Sequence, residues 1–190
     1  MGRILRLRST IARPGVATAY AAGDEVSNHA TAGSVVRATF NLAGFTDIRL
    51  LSCEVDLTAA SSDVVTTASN FEILLFRTSE VPAAVGDNVT NPITAVQRAT
   101  SVGEFVLDDA GWTGPLGTVA AGTSQYQAVT AHFVQPTATP VLHFPSDGGY
   151  PFSFDGVSAK TLTAVLRATA AWTPGAVINT FGITLNIEAV

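Results

Sequence analysis

The sequence predicts an all-β protein: a single antiparallel β-sandwich of jelly-roll-like form with an extended N-terminal arm. Three observations lead there. Hydrophobicity alternates with a period of two in the clearest segments. Clusters of Gly, Pro, Asn, Asp and Ser separate those segments at short spacing. Four arginines, Arg3, Arg6, Arg8 and Arg13, precede the first carboxylate, Asp24, and set the opening stretch apart from the rest.

That opening stretch, Met1 to Gly23, carries +4, while the remaining six basic residues face all fifteen acidic ones and leave −9 on the rest. Pro14 and Gly15 interrupt any regular element. Ile4, Leu5, Leu7 and Ile11 interleave with the arginines, and "RLRSTI" has the alternation of a strand able to add to another sheet's edge. A domain of this size has a radius of gyration near ~16 Å, whereas 22 extended residues reach about 70 Å, so such a segment can leave its own body. The expectation is an arm over residues 1–23 and a sandwich body over 24–190, with Arg3, Leu5, Arg6, Leu7, Arg8, Ile11 and Arg13 docking on a partner. Exposed arginine pairs bring only about 0–1 kcal/mol each, so firm docking would draw on the aliphatics and on main-chain hydrogen bonds.

In the body, "LSCEVDLT" places Leu51, Cys53, Val55 and Leu57 on one face, and "FGITLNIE" does the same with Phe181, Ile183, Leu185 and Ile187. Both read as half-buried antiparallel strands. "SVVRATF", "FEILLFR", "EFVLD", "SQYQAVTAHFV", "PVLHF" and "KTLTAVLRATA" are rich in β-branched and aromatic residues, giving about eight strands in all. "AGWTGPLG", "PSDGGYPFSFDG" and "WTPGA" are among the turn-forming separators. A turn or so of helix is expected over Ile93 to Ala99.

With 190 residues, 47% of them hydrophobic, 13% charged, and a mean hydropathy of +0.33, the chain has material for one core and few charges to solvate. Apolar runs such as "ILLF" at Ile73 to Phe76 fall far short of the ~18 residues that cross a bilayer, so no membrane partner is expected. The sparse charge suggests that surface is covered by copies of the chain or by a larger assembly. Cys53 is the single cysteine, which excludes an intrachain disulfide and makes a small core residue its expected role. Four arginines without interleaved aromatics, on an acidic body, make nucleic acid a poor partner.

Chemistry-bearing motifs are sparse. His29, His132 and His143 lack paired metal-ligand spacing, and Asp108 with Asp109 or Asp147 with Asp155 read as turn residues. There is no phosphate-cradling loop, dinucleotide fingerprint or nucleophile elbow. Neither an enzyme nor a cofactor or metal is expected. Trp112, in a turn, and Tyr150 could offer stacking surface to a sugar, which keeps a carbohydrate- or receptor-binding module as the alternative.

Four blocks carry a resemblance: "TAYAAGDEVSN" (Thr18 to Asn28), "FEILLFRTSEVPAAVGDN" (Phe71 to Asn88), "VGEFVL" (Val102 to Leu107) and "LTAVLRATAAWTPGAVINTFGITLNI" (Leu162 to Ile187). In that order they resemble a family of small virion structural proteins of tailed bacteriophages. The resemblance implies a non-enzymatic β protein of the particle, of capsid decoration or cement type. It further implies a chain made in the bacterial host cytoplasm that self-associates as a dimer or trimer and binds the major capsid protein from outside. The arginine-rich stretch lies before the first block, so its role rests on the physical reading alone.

Overall fold

The computed structural model describes residues 3–45, 47–59, 63–65, 70–107, 117–119, 124–130, 133–134, 142–143, 150–153 and 160–189. Among them the chain forms the expected antiparallel β-sandwich. In the first sheet β1 (Arg3–Arg13) lies beside β15 (Asn179–Ala189), and β15 lies beside β4 (Asp47–Ala59). The far side of β4 takes two strands in succession, β10 (Ser124–Thr130) and β13 (Tyr150–Ser153). The second sheet runs β7 (Val89–Thr90), β2 (Asp24–Glu25), β14 (Thr161–Ala168), β6 (Phe71–Arg77) and β8 (Gly103–Leu107), with β3 (Thr39–Asn41) also paired to β14. Two short ribbons, β5 (Asp63–Val65) with β9 (Gly117–Val119) and β11 (Phe133–Val134) with β12 (Leu142–His143), complete the described strands.

The segment expected to extend away from the body is instead an edge strand of it. All eleven residues of β1 pair in register with β15, from Arg3 opposite Ala189 to Arg13 opposite Asn179. Alternation explains why: Leu5, Leu7 and Ile11 fall on one face, where they join the core, while Arg6 and Arg8 fall on the other. Burying three aliphatics and pairing a whole strand outweighs what solvation would return to a free arm.

Between the sheets, Phe181, Ile183, Leu185 and Ile187 of β15 meet Phe71, Ile73 and Leu75 of β6 and Leu162, Ala164 and Leu166 of β14 in one buried cluster. On β4 the inward residues are Leu57, Val55 and Cys53, then Leu50 and Ile48. The alternation expected to include Leu51 is broken by a bulge. Asn186 faces Ser52 but Ile187 faces Leu50, so Leu51 is the extra residue and is only half-buried.

The uninterrupted run "FEILLF" has a different cause. Its inward residues join the main core, and its outward ones, Leu74 and Phe76, form a second cluster with Val165, covered by Val81 and Ile93. A strand buried on both faces has no polar face to alternate with. The cover comes from residues 78–94 and the single-turn helix α1 (Ala95–Ala99), which Thr94 and Gln97 start with a reciprocal capping box. That helix falls where it was expected.

Phe76→Ala should therefore cost about 3–5 kcal/mol although it lies outside the main core. Urea unfolding of the variant measures this, and a loss under ~1 kcal/mol would mean that the cover is not a packed layer.

Candidate interaction surface

The arginines of β1 are mostly spent on the chain itself. Arg6 reaches across β15 to the Glu54 carboxylate, and Arg8 makes a bidentate pair with Asp56, Nη1 to Oδ1 at 2.5 Å and Nη2 to Oδ2 at 2.9 Å. Both acids stand on β4, one strand beyond the neighbour of β1, and Asn186 of β15 donates to Glu54 and Ser52 between them. The route over β15 is open at Gly182, where a Cβ would come within 2.5–2.6 Å of the Asp56 oxygens. The hydrogen bond with Asp56 raises the Arg8 pKa further above its already high ordinary value. The arginine side chains remain 65% and 53% exposed, so each pair contributes only about 0–1 kcal/mol. Their effect is chiefly to cancel charge: two of the four early arginines are neutralised by two acids of β4 within one sheet.

Arg13 and Ile11, expected to meet a partner, are buried against the rest of this chain. The Arg13 guanidinium donates to the carbonyls of Val16 (2.7 Å), Gly175 (2.9 Å) and Val177 (3.0 Å) and lies 5.6 Å from the centre of the Trp172 ring. A buried cation is tolerable only with such partners. Leu5 and Leu7 are half-buried against the chain's own core. Besides Arg6 and Arg8, β1 leaves exposed Arg3, Ile4 at 67% exposure, Thr10, Ala12 and its second edge, with which no described strand pairs. Ser9 accepts the Thr39 amide of β3 at 3.1 Å and is the described side-chain tie from that edge to the other sheet.

Behind the β1 anchor sits a polar knot made by the first two blocks of the resemblance. Tyr20 pairs with Trp172 through two backbone hydrogen bonds and stacks against its ring at 5.0 Å. Its hydroxyl lies 2.6 Å from both oxygens of Asp87, which also accepts the Ser27 amide at 2.9 Å. Asp24 accepts from the Ala21 amide and the Thr90 hydroxyl. Gly86 turns the loop at φ +106, a conformation that favours glycine, and a Cβ there would overlap the Ala30 carbonyl. Burial pushes the Tyr20 phenol up, helped by Asp87, and pushes Asp87 itself up against the hydrogen bonds that hold it down.

The outer face of the second sheet carries a parallel set of ties. Arg37 forks onto Glu25 (2.7 and 2.8 Å) and donates to the Pro82 and Ala83 carbonyls of the cover, while Asn91 donates to Glu25. Arg98 of α1 bridges Glu72 and Glu104, and Arg167 stands 3.2 Å from Glu72. Burial raises the Glu104 pKa. These acids fasten the cover to the sheet.

Trp112 lies outside the described residues, as do His132, Asp108, Asp109, Asp147 and Asp155. Tyr150 opens β13 opposite Leu50, and its backbone alone is described. His29 is exposed, and its Nδ1 accepts the Thr31 amide. Cys53 is buried with its thiol pushed up by burial, consistent with a core residue. Among the described residues no group of three or more His, Cys, Asp or Glu is placed to hold a metal ion. No described helix is long and apolar enough to cross a membrane. A shallow groove of about 380 Å³ lies at the far end of β1, lined by Ala12, Pro14, Gly15, Asn28, His29 and Ile178 among others.

Two outcomes test the knot. Tyr20→Phe leaves a buried carboxylate short of a donor and should cost about 1–3 kcal/mol by chemical denaturation, whereas Asp87→Asn keeps an acceptor for both donors and should cost less. The raised pKa values of Asp87 and Glu104 mean that the folded chain binds these protons more readily than the unfolded one. Their contribution to stability therefore falls as pH rises from the carboxylate range near ~4 through their folded titration, and stays lower above it. Melting temperatures measured across that window should show a smaller fall on alkalinisation in Asp87→Asn than in the native chain; an equal fall would contradict the assignment.

No protein-family model matches the chain, and no curated protein matches it. Solved structures to which the chain is similar include a semi-empty virus-like particle of the giant freshwater prawn Macrobrachium rosenbergii nodavirus, at 11% identity and TM-score 0.34 over 100% of this chain and 93% of that one. They also include the PRD1 vertex protein P5, at 9% identity and TM-score 0.31 over 97% and 96%, and the BFDV capsid protein as a 60-mer, at 10% identity and TM-score 0.33 over 99% and 94%.

Proposed function

We propose that the chain is a structural protein of a bacteriophage virion, a capsid decoration or cement protein that self-associates and braces the major capsid protein from the outer surface. The observation that carries this reading is where the ordered blocks fall. Tyr20, Asp24, Asp87, the left-handed Asn88 at φ 56, Gly103 and Trp172 belong to those blocks, and each holds backbone or packs in the second sheet and its corner. Residues spent on holding a frame together are the signature of a scaffold, because a catalytic set would converge on an accessible cleft instead.

The surface that suits a partner is the outer edge of β1, where Arg3 and Ile4 are exposed beside main-chain groups able to continue a sheet. Leu5, Leu7, Ile11 and Arg13 support it from behind. Purified protein added to shells that lack it should co-sediment with them and raise the temperature at which they rupture. Failure to co-sediment would overturn the reading, and binding to glycans in its place would point to a receptor-binding module.

A further inference from the structure

The attachment of β1 to the body is self-contained. Lifted out, β1 would leave a slot bounded by the backbone edge of β15, a core-facing gap for Leu5, Leu7 and Ile11, and an acidic lip of Glu54 and Asp56. The slot ends in a corner made of the Trp172 ring and the Gly175 and Val177 carbonyls, fitted to one arginine. Its occupant needs aliphatics at alternate positions, cations at two of the positions between them and a terminal arginine. The segment "LRLRSTIAR" has that pattern and no other described segment does.

The connection to the body is weakly held by contrast. Among the described hydrogen bonds, residues 14–18 bond only to one another and to Arg13: the Val16 amide to the Pro14 carbonyl, and Arg13 to the Val16 carbonyl. Residues 15–19 are exposed, and the chain is fastened again only around Tyr20. Pro14 biases Arg13 towards extended backbone, so an open connection carries little strain. Six residues, 14–19, can span roughly 20 Å, enough to pass from one copy to another in contact with it.

We propose that β1 is an exchangeable strand: in the assembled protein it fills the β15 edge of a second copy, which returns its own β1 in the same way. Each copy then keeps the β1 contacts described above, with only residues 14–19 rearranged, so exchange costs little and ties copies together by a full strand. The charge complementarity of Arg6 with Glu54 and Arg8 with Asp56 selects this occupant over an unrelated strand. The inference concerns self-assembly and holds or fails independently of the virion reading.

Ile4 and Glu188 face each other across β1 and β15, both away from the core, and two cysteines directly opposite in an antiparallel pair are close enough to bridge. The test mixes Ile4→Cys chains with Glu188→Cys chains, refolds them together at high concentration and oxidises the oligomer isolated by size exclusion. Cys53, buried and with its thiol pushed up, stays in place as an unreactive residue. With the two variants mixed in equal amounts, exchange predicts that disulfide-linked heterodimers make up about half of the dimers, the share random pairing gives, and are several-fold more abundant than in a mixture of separately folded chains. Heterodimers no more abundant than in that mixture, or a chain that stays monomeric throughout, would overturn the proposal. Deleting Val16 to Thr18 shortens the return path and should raise the dimer fraction; a shortened chain that remains a folded monomer would also overturn it.

Discussion

The guanidinium of Arg13 sits where the two halves of the structure meet. It is buried against Trp172 and three carbonyls, and that placement fixes the end and therefore the register of β1 on β15. With the register fixed, Leu5, Leu7 and Ile11 must point inward and Arg6 and Arg8 outward, since a slip of one residue would invert every side chain. Trp172 in turn stacks on Tyr20, meets Phe71 and Phe181 edge-on at 5.1 and 5.9 Å, and so ties the anchor to both sheets. Tyr20 continues the path to Asp87 and the cover over the second sheet. A cation bonded to three carbonyls thus holds a corner that the aromatic residues complete.

Two kinds of electrostatics operate here, and burial separates them. Arg6 and Arg8 are exposed, neutralise acids on β4 and stabilise little individually. Glu25 and Arg37 are 1% and 8% exposed as side chains, and the desolvation of such a pair is offset only because its hydrogen bonds are complete: Arg37 forks onto Glu25 and also donates to two carbonyls. The first kind makes β1 fit its slot in preference to other strands. The second keeps residues 78–94 pressed on Leu74, Phe76 and Val165.

Much of this was legible in the sequence where a strand has one wet face. The inward residues of β15 follow from alternation alone, as do Cys53, Val55 and Leu57. Leu51 did not follow, because a bulge changes the phase without changing the composition. β6 was legible as a strand but not as the floor of a second core, since a two-sided burial erases the alternation that would orient it. Counted as charge the arginines describe an arm, and the strand of this sheet becomes visible only through their partners on a strand two places away. The signal was present in the alternation of "RLR" with the acids of "CEVD". Matching them, however, requires knowing that β15 lies between and that Gly182 leaves the way clear. The Tyr20 and Asp87 pairing, 67 residues apart, carried no local pattern at all.

Amide hydrogen exchange over residues 3–13 tests most directly whether the basic opening stretch is an integral strand pinned by Arg13. The account predicts protection of the β1 amides that bond to β15, reaching that of β15 itself towards the Ile11 end. Exchange of the whole stretch at the rate of unstructured chain, with β15 protected, would contradict it.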